Sequence, residues 1–347
     1  MKYAYVGCRT TRERNARGKG ISIYKIDGKG DWELQEIVPI LENPSYLAFD
    51  KSKQYLYTVH GDLHQVSAFK IKPDGGLEFL NTVDAQGKNP VHIIPSQNNK
   101  FMFAATLQGG AIATLPRLED GRLGEAVSVE HLEGIACDGV SHAHQCLLDN
   151  TGEYLFVPSQ GRHIGYERLW VFKVYNETGK LTRADIQEAR LYDEPRHVSI
   201  SPDNKRVYLI NERGNCMTYY GFDDTTGHLE PRQILPTLPE TYTGNGQASA
   251  SLTHPSGRFV YGSNRIHESI VIYRVNEQTG YLTLAGFTSV LGRTPRFMCF
   301  NEDATQLIVG NEDSDTIRFF DINQETGDLT FADKTVRTGS PTCIIFK

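Results

Sequence analysis

The sequence predicts an all-β fold, a seven-bladed β-propeller built from four-stranded antiparallel blades. Three observations lead to this prediction: a pattern that recurs seven times, a glycine-containing hairpin in the repeat, and a last copy that stops after one strand. A period near 50 residues with four short strands in each unit is typical of propeller blades.

The first half of each repeat reads as two strands joined by a polar turn. Its clearest copy is PRHVSISPDNKRVYLINE at 195–212. The other copies start at residues 44, 90, 143, 248, 295 and, in truncated form, 341. Because no long stretch keeps a helical period of 3.6 residues, the pattern favours strands throughout.

The second half of each repeat is a strand, a turn and a strand, as in IVIYRVNEQTGYLTLA at 270–285. The turns NETGKLT, NEQTGYLT and QETGDLT each place a glycine between two apolar runs. Glycine accepts the positive φ that a tight hairpin requires, so these segments predict β-hairpins.

The last copy ends at Lys347 after a single strand, whereas the chain starts with KYAYVG, which resembles the next strand of that copy. We therefore expect the N-terminal strand to complete the C-terminal blade and to close the ring. The prediction is one seven-bladed domain over residues 1–347.

Bulk composition narrows the function classes. The net charge of −6 argues against nucleic-acid binding, and no apolar run is long enough to cross a membrane. Without a recognisable signal peptide, we expect a cytoplasmic location, and the six scattered cysteines fit buried free thiols. No cluster of ligating residues predicts a metal or another cofactor, and oligomeric state stays open.

Two register positions in the repeat carry unusual residues. One position follows the leading residue of each copy, and the other lies sixteen residues later. In a propeller, equivalent positions form a ring around the axis, and both positions can face the same mouth. The first ring holds Ser45, Val91, His144, Arg196, Ser249, Arg296 and Thr342. The second holds Gly61, Leu107, Gln160, Glu212, Arg265, Glu312 and Arg9.

The ionisable members of these rings predict a polar funnel, since buried charges are costly unless they are paired. The alternative is that Arg196–Glu212 and Arg296–Glu312 are salt bridges that only hold strands together. His144 follows His142 by two residues, so the pair either shares a strand face or flanks a bend. The loop 9–20 is rich in arginine and is either a phosphate-binding loop or a solvated one.

At PRHVSISPDNKRVYLINE, SNRIHESIVIYRV and GRTPRFMCFNEDATQLIVGNEDSDTIRFF, the chain resembles the bacterial lactonase propellers. This is the family of 6-phosphogluconolactonase-like or cycloisomerase-2 proteins, which is related to the fungal carboxymuconate lactonizing enzyme. The resemblance covers essentially the whole chain and implies a seven-bladed propeller with no metal requirement. It also implies a site of one histidine, two arginines and one glutamate, which correspond to His144, Arg196, Arg265 and Glu212.

We therefore expect a hydrolase that opens a sugar lactone, with 6-phosphogluconolactone as the expected substrate and a sugar acid as the product. His144 or Glu212 would act as the acid or base, and Arg196 and Arg265 would bind the developing oxyanion. Arg9, His142, Arg296 and Glu312 are predicted to bind substrate. The rival hypotheses are a carboxymuconate-type cycloisomerase and a noncatalytic propeller that binds a ligand or protein.

Overall fold

Seven four-stranded antiparallel sheets surround one axis, so the predicted β-propeller is confirmed. The structure is a computed structural model that describes residues 2–347. Within those residues the only helical segments are two short 3₁₀ turns, Arg12–Arg14 and Glu312–Ser314.

The strands follow the repeat in chain order. The closing blade contains the first three strands and the last one, namely β1 (Lys2–Cys8), β2 (Ile21–Ile26), β3 (Trp32–Val38) and β29 (Pro341–Phe346). Blades 1 and 2 contain β4 (Pro44–Phe49), β5 (Tyr55–His60), β6 (Gln65–Ile71), β7 (Leu77–Asp84), β8 (Pro90–Pro95), β9 (Phe101–Thr106), β10 (Ala111–Pro116) and β11 (Ser128–His131). Blades 3 and 4 contain β12 (His142–Ala143), β13 (Leu147–Leu148), β14 (Tyr154–Gln160), β15 (Arg168–Tyr175), β16 (Lys180–Glu188), β17 (Pro195–Ile200), β18 (Arg206–Asn211), β19 (Cys216–Asp223) and β20 (His228–Pro236). Blades 5 and 6 contain β21 (Gln247–Thr253), β22 (Phe259–Arg265), β23 (Ser269–Val275), β24 (Leu282–Ser289), β25 (Pro295–Phe300), β26 (Gln306–Asn311), β27 (Thr316–Ile322) and β28 (Leu329–Arg337).

The ring closes where the sequence predicts. Strand β29 pairs antiparallel with β1, with Ala4 opposite Phe346 and Val6 opposite Ile344. The innermost strands of successive blades contact one another over most of the ring, from β17 through β21, β25, β29 and β4 to β8. This pairing satisfies the edge that the truncated C-terminal copy would otherwise expose.

The hairpin glycines also fasten neighbouring blades together. Gly280 and Gly327 have φ values of +77° and +80°, as the turn chemistry requires. The hydroxyl of Tyr208 donates to the carbonyl of Gly280 at 3.2 Å, and that of Tyr261 donates to Gly327 at 2.9 Å. Two further tyrosine–glycine pairs join other blades in the same way, Tyr5–Gly75 and Tyr57–Gly121. These buried hydrogen bonds hold one blade to the hairpin of the next.

A β-bulge lies at the first ring position of the repeat. The register of β17 on β18 shifts between Pro195 and His197, so Arg196 is the extra residue, and β25 shifts in the same way at Arg296. In blade 3 the inner strand breaks at this point into β12 and β13, and His144 lies in the gap. Bulges redirect a side chain away from the normal alternation of a strand. They therefore explain why these residues differ from their strand neighbours.

The burial of the cysteines and the length of the helices bear on two predictions from the sequence. Cys8, Cys146, Cys216 and Cys343 are buried free thiols and Cys299 is a partly buried one, but Cys137 is exposed on the loop after β11, which corrects the expectation for that residue. Exposure follows from its position outside any strand. Between residues 2 and 347 there is no helix with the length and hydrophobicity that a membrane span needs.

Candidate active site

Two Arg–Glu–Arg clusters lie at one end of the propeller, and together they contain six of the predicted site residues. In the first cluster, Glu212 contacts Arg265 (NH2 to Oε1, 2.9 Å) and Arg196 (Nε to Oε2, 3.2 Å). The Nε–H of Arg196 is not directed at the carboxylate, so this second contact is an ion pair without a hydrogen bond. Instead, NH1 of Arg196 donates to the carbonyl of Ser249 at 2.7 Å.

The second cluster repeats the first at a distance of two blades. Glu312 lies 3.5 Å from NH1 of Arg296 and 3.3 Å from NH1 of Arg9. In each cluster, the arginine and glutamate of one blade meet an arginine from the next blade. Four guanidinium groups face two carboxylates, and because arginine stays protonated, the funnel keeps an excess of positive charge. Such a funnel attracts an anionic ligand.

The two clusters differ in how far they are exposed. The side chain of Arg196 is only 2% exposed, whereas those of Arg296 and Arg9 are 17% and 20% exposed. The second cluster is therefore the one that a ligand in the funnel can reach more easily. The sequence could not rank the two clusters in this way, because both come from the same PR…NE motif.

Local backbone geometry fixes both glutamates. The residues before the leading prolines, Glu194 and Thr294, have φ values of +53° and +59°. Their carbonyls accept hydrogen bonds from the backbone N–H groups of Glu212 (2.8 Å) and Glu312 (2.9 Å). Non-glycine residues in this region carry backbone strain, which often occurs at functional sites. The strained turns hold each carboxylate beside its arginines.

The charge state of Glu212 follows from its neighbours. Burial raises its pKa, but the guanidinium groups of Arg265, Arg196 and Arg296, together with the Gln160 amide, outweigh burial and lower the pKa to about 2. The amide Nε2 of Gln160 donates to Oε2 of Glu212 at 3.0 Å. Glu212 is therefore an ionised, weakly basic carboxylate at neutral pH. This state suits a residue that orients arginines better than one that transfers protons.

His144 lies next to these arginines and is a neutral imidazole. Burial, followed by the positive charges of Arg196 and Arg296, lowers its pKa well below the ordinary value. Its side chain is 5% exposed, and Nδ1 has no hydrogen-bond partner in the described part of the chain. An unpartnered buried nitrogen leaves a hydrogen-bonding position open to a water molecule or a ligand. A neutral imidazole can accept a proton.

Sequence reasoning missed a layer of aromatic side chains directly below the charged ring. Tyr46, His92, His197 and Phe297 each follow a first-ring residue by one position. The rings of Tyr46 and His92 are 4.1 Å apart, and those of His197 and His144 are 5.3 Å apart. Tyr46, His197 and Phe297 line the same cavity as His144 and Arg196. The same repeat alignment, moved by one residue, would have drawn attention to this layer.

The other predicted residues have more local contacts. His142 is buried, and its Nδ1 lies 3.1 Å from the carbonyl of Gln160, so its predicted role in binding substrate stays a prediction. In the 9–20 loop, Arg14 binds Asp62 and Arg17 binds Asp315. That loop is thus fixed against blades 1 and 6 instead of being freely solvated.

Two cavities open among these residues. An axial cavity of about 30 Å³ is lined on one side by His144, Arg196 and His197, and it reaches Val91 and Ser45 on the other. A mouth cavity of about 460 Å³ lies between the N-terminal loop and blades 5 and 6. Its lining includes Arg265, Ile266 and Gln247. Arg9 and Arg296 line both cavities and therefore form a common wall.

Within residues 2–347, no group of three or more histidine, cysteine or acidic side chains is arranged to hold a metal ion. The noncatalytic rival predicts an apolar patch at the mouth. Exposed apolar side chains do occur on the loops of blades 2 to 4, with Leu191 72% and Ile135 59% exposed. Neither Leu191 nor Ile135 lines a cavity at the funnel, where charged groups converge, whereas the exposed Ile266 does.

Comparison with known proteins assigns the chain to a family. Residues 3–346 match the family model described as "Lactonase, 7-bladed beta-propeller". The chain belongs to this lactonase family. The 6-phosphogluconolactonase of Bacillus subtilis is 29% identical over 347 residues, which cover 99% of this chain and 97% of the relative. The 6-phosphogluconolactonase of Klebsiella pneumoniae is 26% identical and covers 88% and 89% of the two chains.

Solved structures agree on the fold. The periplasmic gluconolactonase of Pseudomonas aeruginosa superimposes with a TM-score of 0.88 over 100% of this chain and 99% of that one, at 24% identity. At this identity, the likeness supports the propeller and not a shared substrate. Membership of the lactonase family supports hydrolysis of a sugar lactone at the level of the family.

Proposed function

We propose that this protein hydrolyses a sugar lactone, with 6-phosphogluconolactone as the substrate. The observation that carries the proposal is a neutral buried histidine, His144, among arginines. The positive charge of these arginines exceeds the negative charge of the carboxylates that they contact. Ester hydrolysis requires a base for water and positive charge for the oxyanion, and the funnel supplies both. The relatives from Bacillus and Klebsiella named 6-phosphogluconolactonase support the choice of substrate.

In the proposed reaction, His144 accepts a proton from water as the water oxygen bonds to the lactone carbonyl carbon. The carbonyl π electrons move to the oxygen, and Arg196 and Arg265 stabilise that oxyanion. When the oxyanion collapses, the ring C–O bond breaks, and the protonated His144 returns its proton to the leaving alkoxide. The net change is addition of one water molecule, and the product is a hydroxy acid. One imidazole thus serves as base and then as acid.

The remaining site residues bind or orient in this scheme. Glu212, with its pKa near 2, keeps Arg196 and Arg265 in place. Glu312 does the same for Arg296 and Arg9, the two more exposed arginines, which would bind the phosphate or the product carboxylate. Arginine suits this role because its planar group binds both anions with two hydrogen bonds.

Replacing His144 tests the proposal. The His144→Gln protein should fold and lose about 100-fold or more in kcat for 6-phosphogluconolactone, since proton transfer by a positioned side chain contributes about that much. His131→Gln is the matched control, because His131 is exposed on β11 outside the funnel. Stopped-flow or pH-stat assays measure both, with thermal unfolding to confirm the fold.

Undiminished turnover by a folded His144→Gln protein would overturn the role of His144. Assays of the wild type with carboxymuconate separate lactone hydrolysis from the cycloisomerase rival. Failure to hydrolyse any sugar lactone, with binding intact, would favour the noncatalytic alternative.

A further inference from the structure

The two cavities of the funnel differ in volume by more than tenfold. The axial cavity has about 30 Å³ and the mouth cavity about 460 Å³. Sites that hold small organic ligands usually have about 300–1,000 Å³. A buried water requires a cavity of about 10–15 Å³ or more, with two to four polar partners. Volume alone therefore assigns a sugar to the mouth cavity and water to the axial cavity.

The residues that line the two cavities support the same assignment of water and sugar. In the axial cavity, His144 has an unpartnered buried nitrogen, and within residues 2–347 the ring of His197 makes no hydrogen bond. Burial, followed by the positive charge of Arg196, lowers the pKa of His197 well below its ordinary value. The cavity therefore contains two uncharged imidazoles that can accept or donate to a water molecule. The aromatic rings of Tyr46 and Phe297, whose centroids are 6.2 Å apart, also line this cavity.

The mouth cavity is lined by charged groups that are open to solvent. The lining contains four arginines and four carboxylates, namely Arg9, Arg14, Arg265 and Arg296 with Glu13, Glu268, Glu312 and Asp313. The arginines suit an anionic sugar derivative. Because Arg196 lines the axial cavity and Arg265 lines the mouth cavity, a carbonyl oxygen held by both would lie at the boundary between the two spaces.

We propose that the axial cavity holds the attacking water, bound by His144 and His197, while the lactone occupies the mouth cavity with its carbonyl carbon at the boundary between Arg196 and Arg265. This inference rests on the proposed lactonase function and adds the location of each reactant. His197 is then a positioning residue, because it fixes the water and the His144 ring and takes no proton in the balanced reaction. The lactone does not need to enter the space below the arginines.

Filling each cavity separately tests this division. Val91→Leu adds bulk to the axial cavity, and Ile266→Trp adds bulk to the mouth cavity, where Ile266 is 49% exposed. Neither residue belongs to the proposed catalytic or binding groups. Ser45→Val is a second axial variant in case Val91→Leu unfolds. The probe for binding is 6-phosphogluconate, measured by calorimetry, and turnover is measured with 6-phosphogluconolactone.

The axial variants should keep the Kd of 6-phosphogluconate within about threefold and lose about tenfold or more in kcat, whereas Ile266→Trp should raise Kd by about tenfold or more. Two results overturn the division: a folded axial variant that loses affinity as strongly as Ile266→Trp, or one with unchanged kcat. If the wild type hydrolyses no sugar lactone, the proposed function fails, but the binding comparison still locates the ligand. In that case a wild-type crystal structure at high resolution decides the water site, which must show ordered water against His144 and His197.

Discussion

At the scale of single residues, burial and neighbouring charge decide what each ionisable group can do. Glu212 and His144 both lie among arginines, and the pKa of each is lowered, which leaves the two groups in different charge states. The arginines lower the pKa of Glu212 to about 2, which leaves it ionised. Burial and the same positive charges lower the pKa of His144, which leaves it neutral. The sequence alone could not separate an acid–base role for Glu212 from one for His144, because the separation depends on distances between blades.

The buried histidines predict that the protein loses stability in acid. Burial and then Arg196 lower the pKa of His92 to about 3, against about 6.5 in an unfolded chain. Below pH 6.5 the unfolded chain binds a proton that folded His92 does not, so the free energy of unfolding falls as pH decreases. The loss is about 1.4 kcal/mol for this histidine at pH 5.5 relative to pH 7.5.

The His92→Phe protein isolates this contribution. Phenylalanine keeps an aromatic ring against Tyr46 and removes the titrating group. Urea unfolding at pH 7.5 and 5.5 should show a pH-dependent loss smaller by about 1.4 kcal/mol than in the wild type. The same pH dependence in both proteins would show that His92 is not a buried neutral imidazole.

At the scale of elements, the hairpin glycines combine three functions: positive φ, close contact and hydrogen-bond acceptance. A Cβ on Gly327 would lie 2.5 Å from Cδ1 of Phe259, and its φ is +80°. The sequence predicted the turn and the glycine. It did not predict that the glycine carbonyl accepts the hydroxyl of Tyr261 from the preceding blade, because single-repeat patterns carry no information about neighbouring sheets.

Substitution of this glycine should weaken the contact between blades. Gly327→Ala combines backbone strain with overpacking and should destabilise the protein by about 2–4 kcal/mol. Gly286→Ala is the matched control, since no atom lies within 4 Å of a Cβ at Gly286 on β24, and it should change stability by less than about 0.5 kcal/mol. Denaturant unfolding compares the two. If both substitutions lowered the free energy of unfolding equally, the hairpin would have no role in joining the blades.

At the scale of the whole molecule, the repeat determined most of what the sequence could predict. Seven blades, the closure of β29 on β1, and the convergence of Arg196, Glu212 and Arg265 all follow from register. The β-bulges, the aromatic layer and the division of the funnel into two cavities do not follow, because they depend on how side chains from non-adjacent blades pack on the axis. The ring of seven blades thus explains where the site lies, and the packing of side chains on the axis explains what the site can bind.

The central claim is that the arginine-rich end of the axis binds the sugar acid that a lactonase releases. A crystal structure of the wild type with 6-phosphogluconate, at a concentration that saturates binding in solution, tests this claim most directly. We expect density in the mouth cavity, with an anionic group of the ligand within hydrogen-bond distance of Arg296 or Arg265. Density only on the outer strands or at the opposite end of the axis would contradict it.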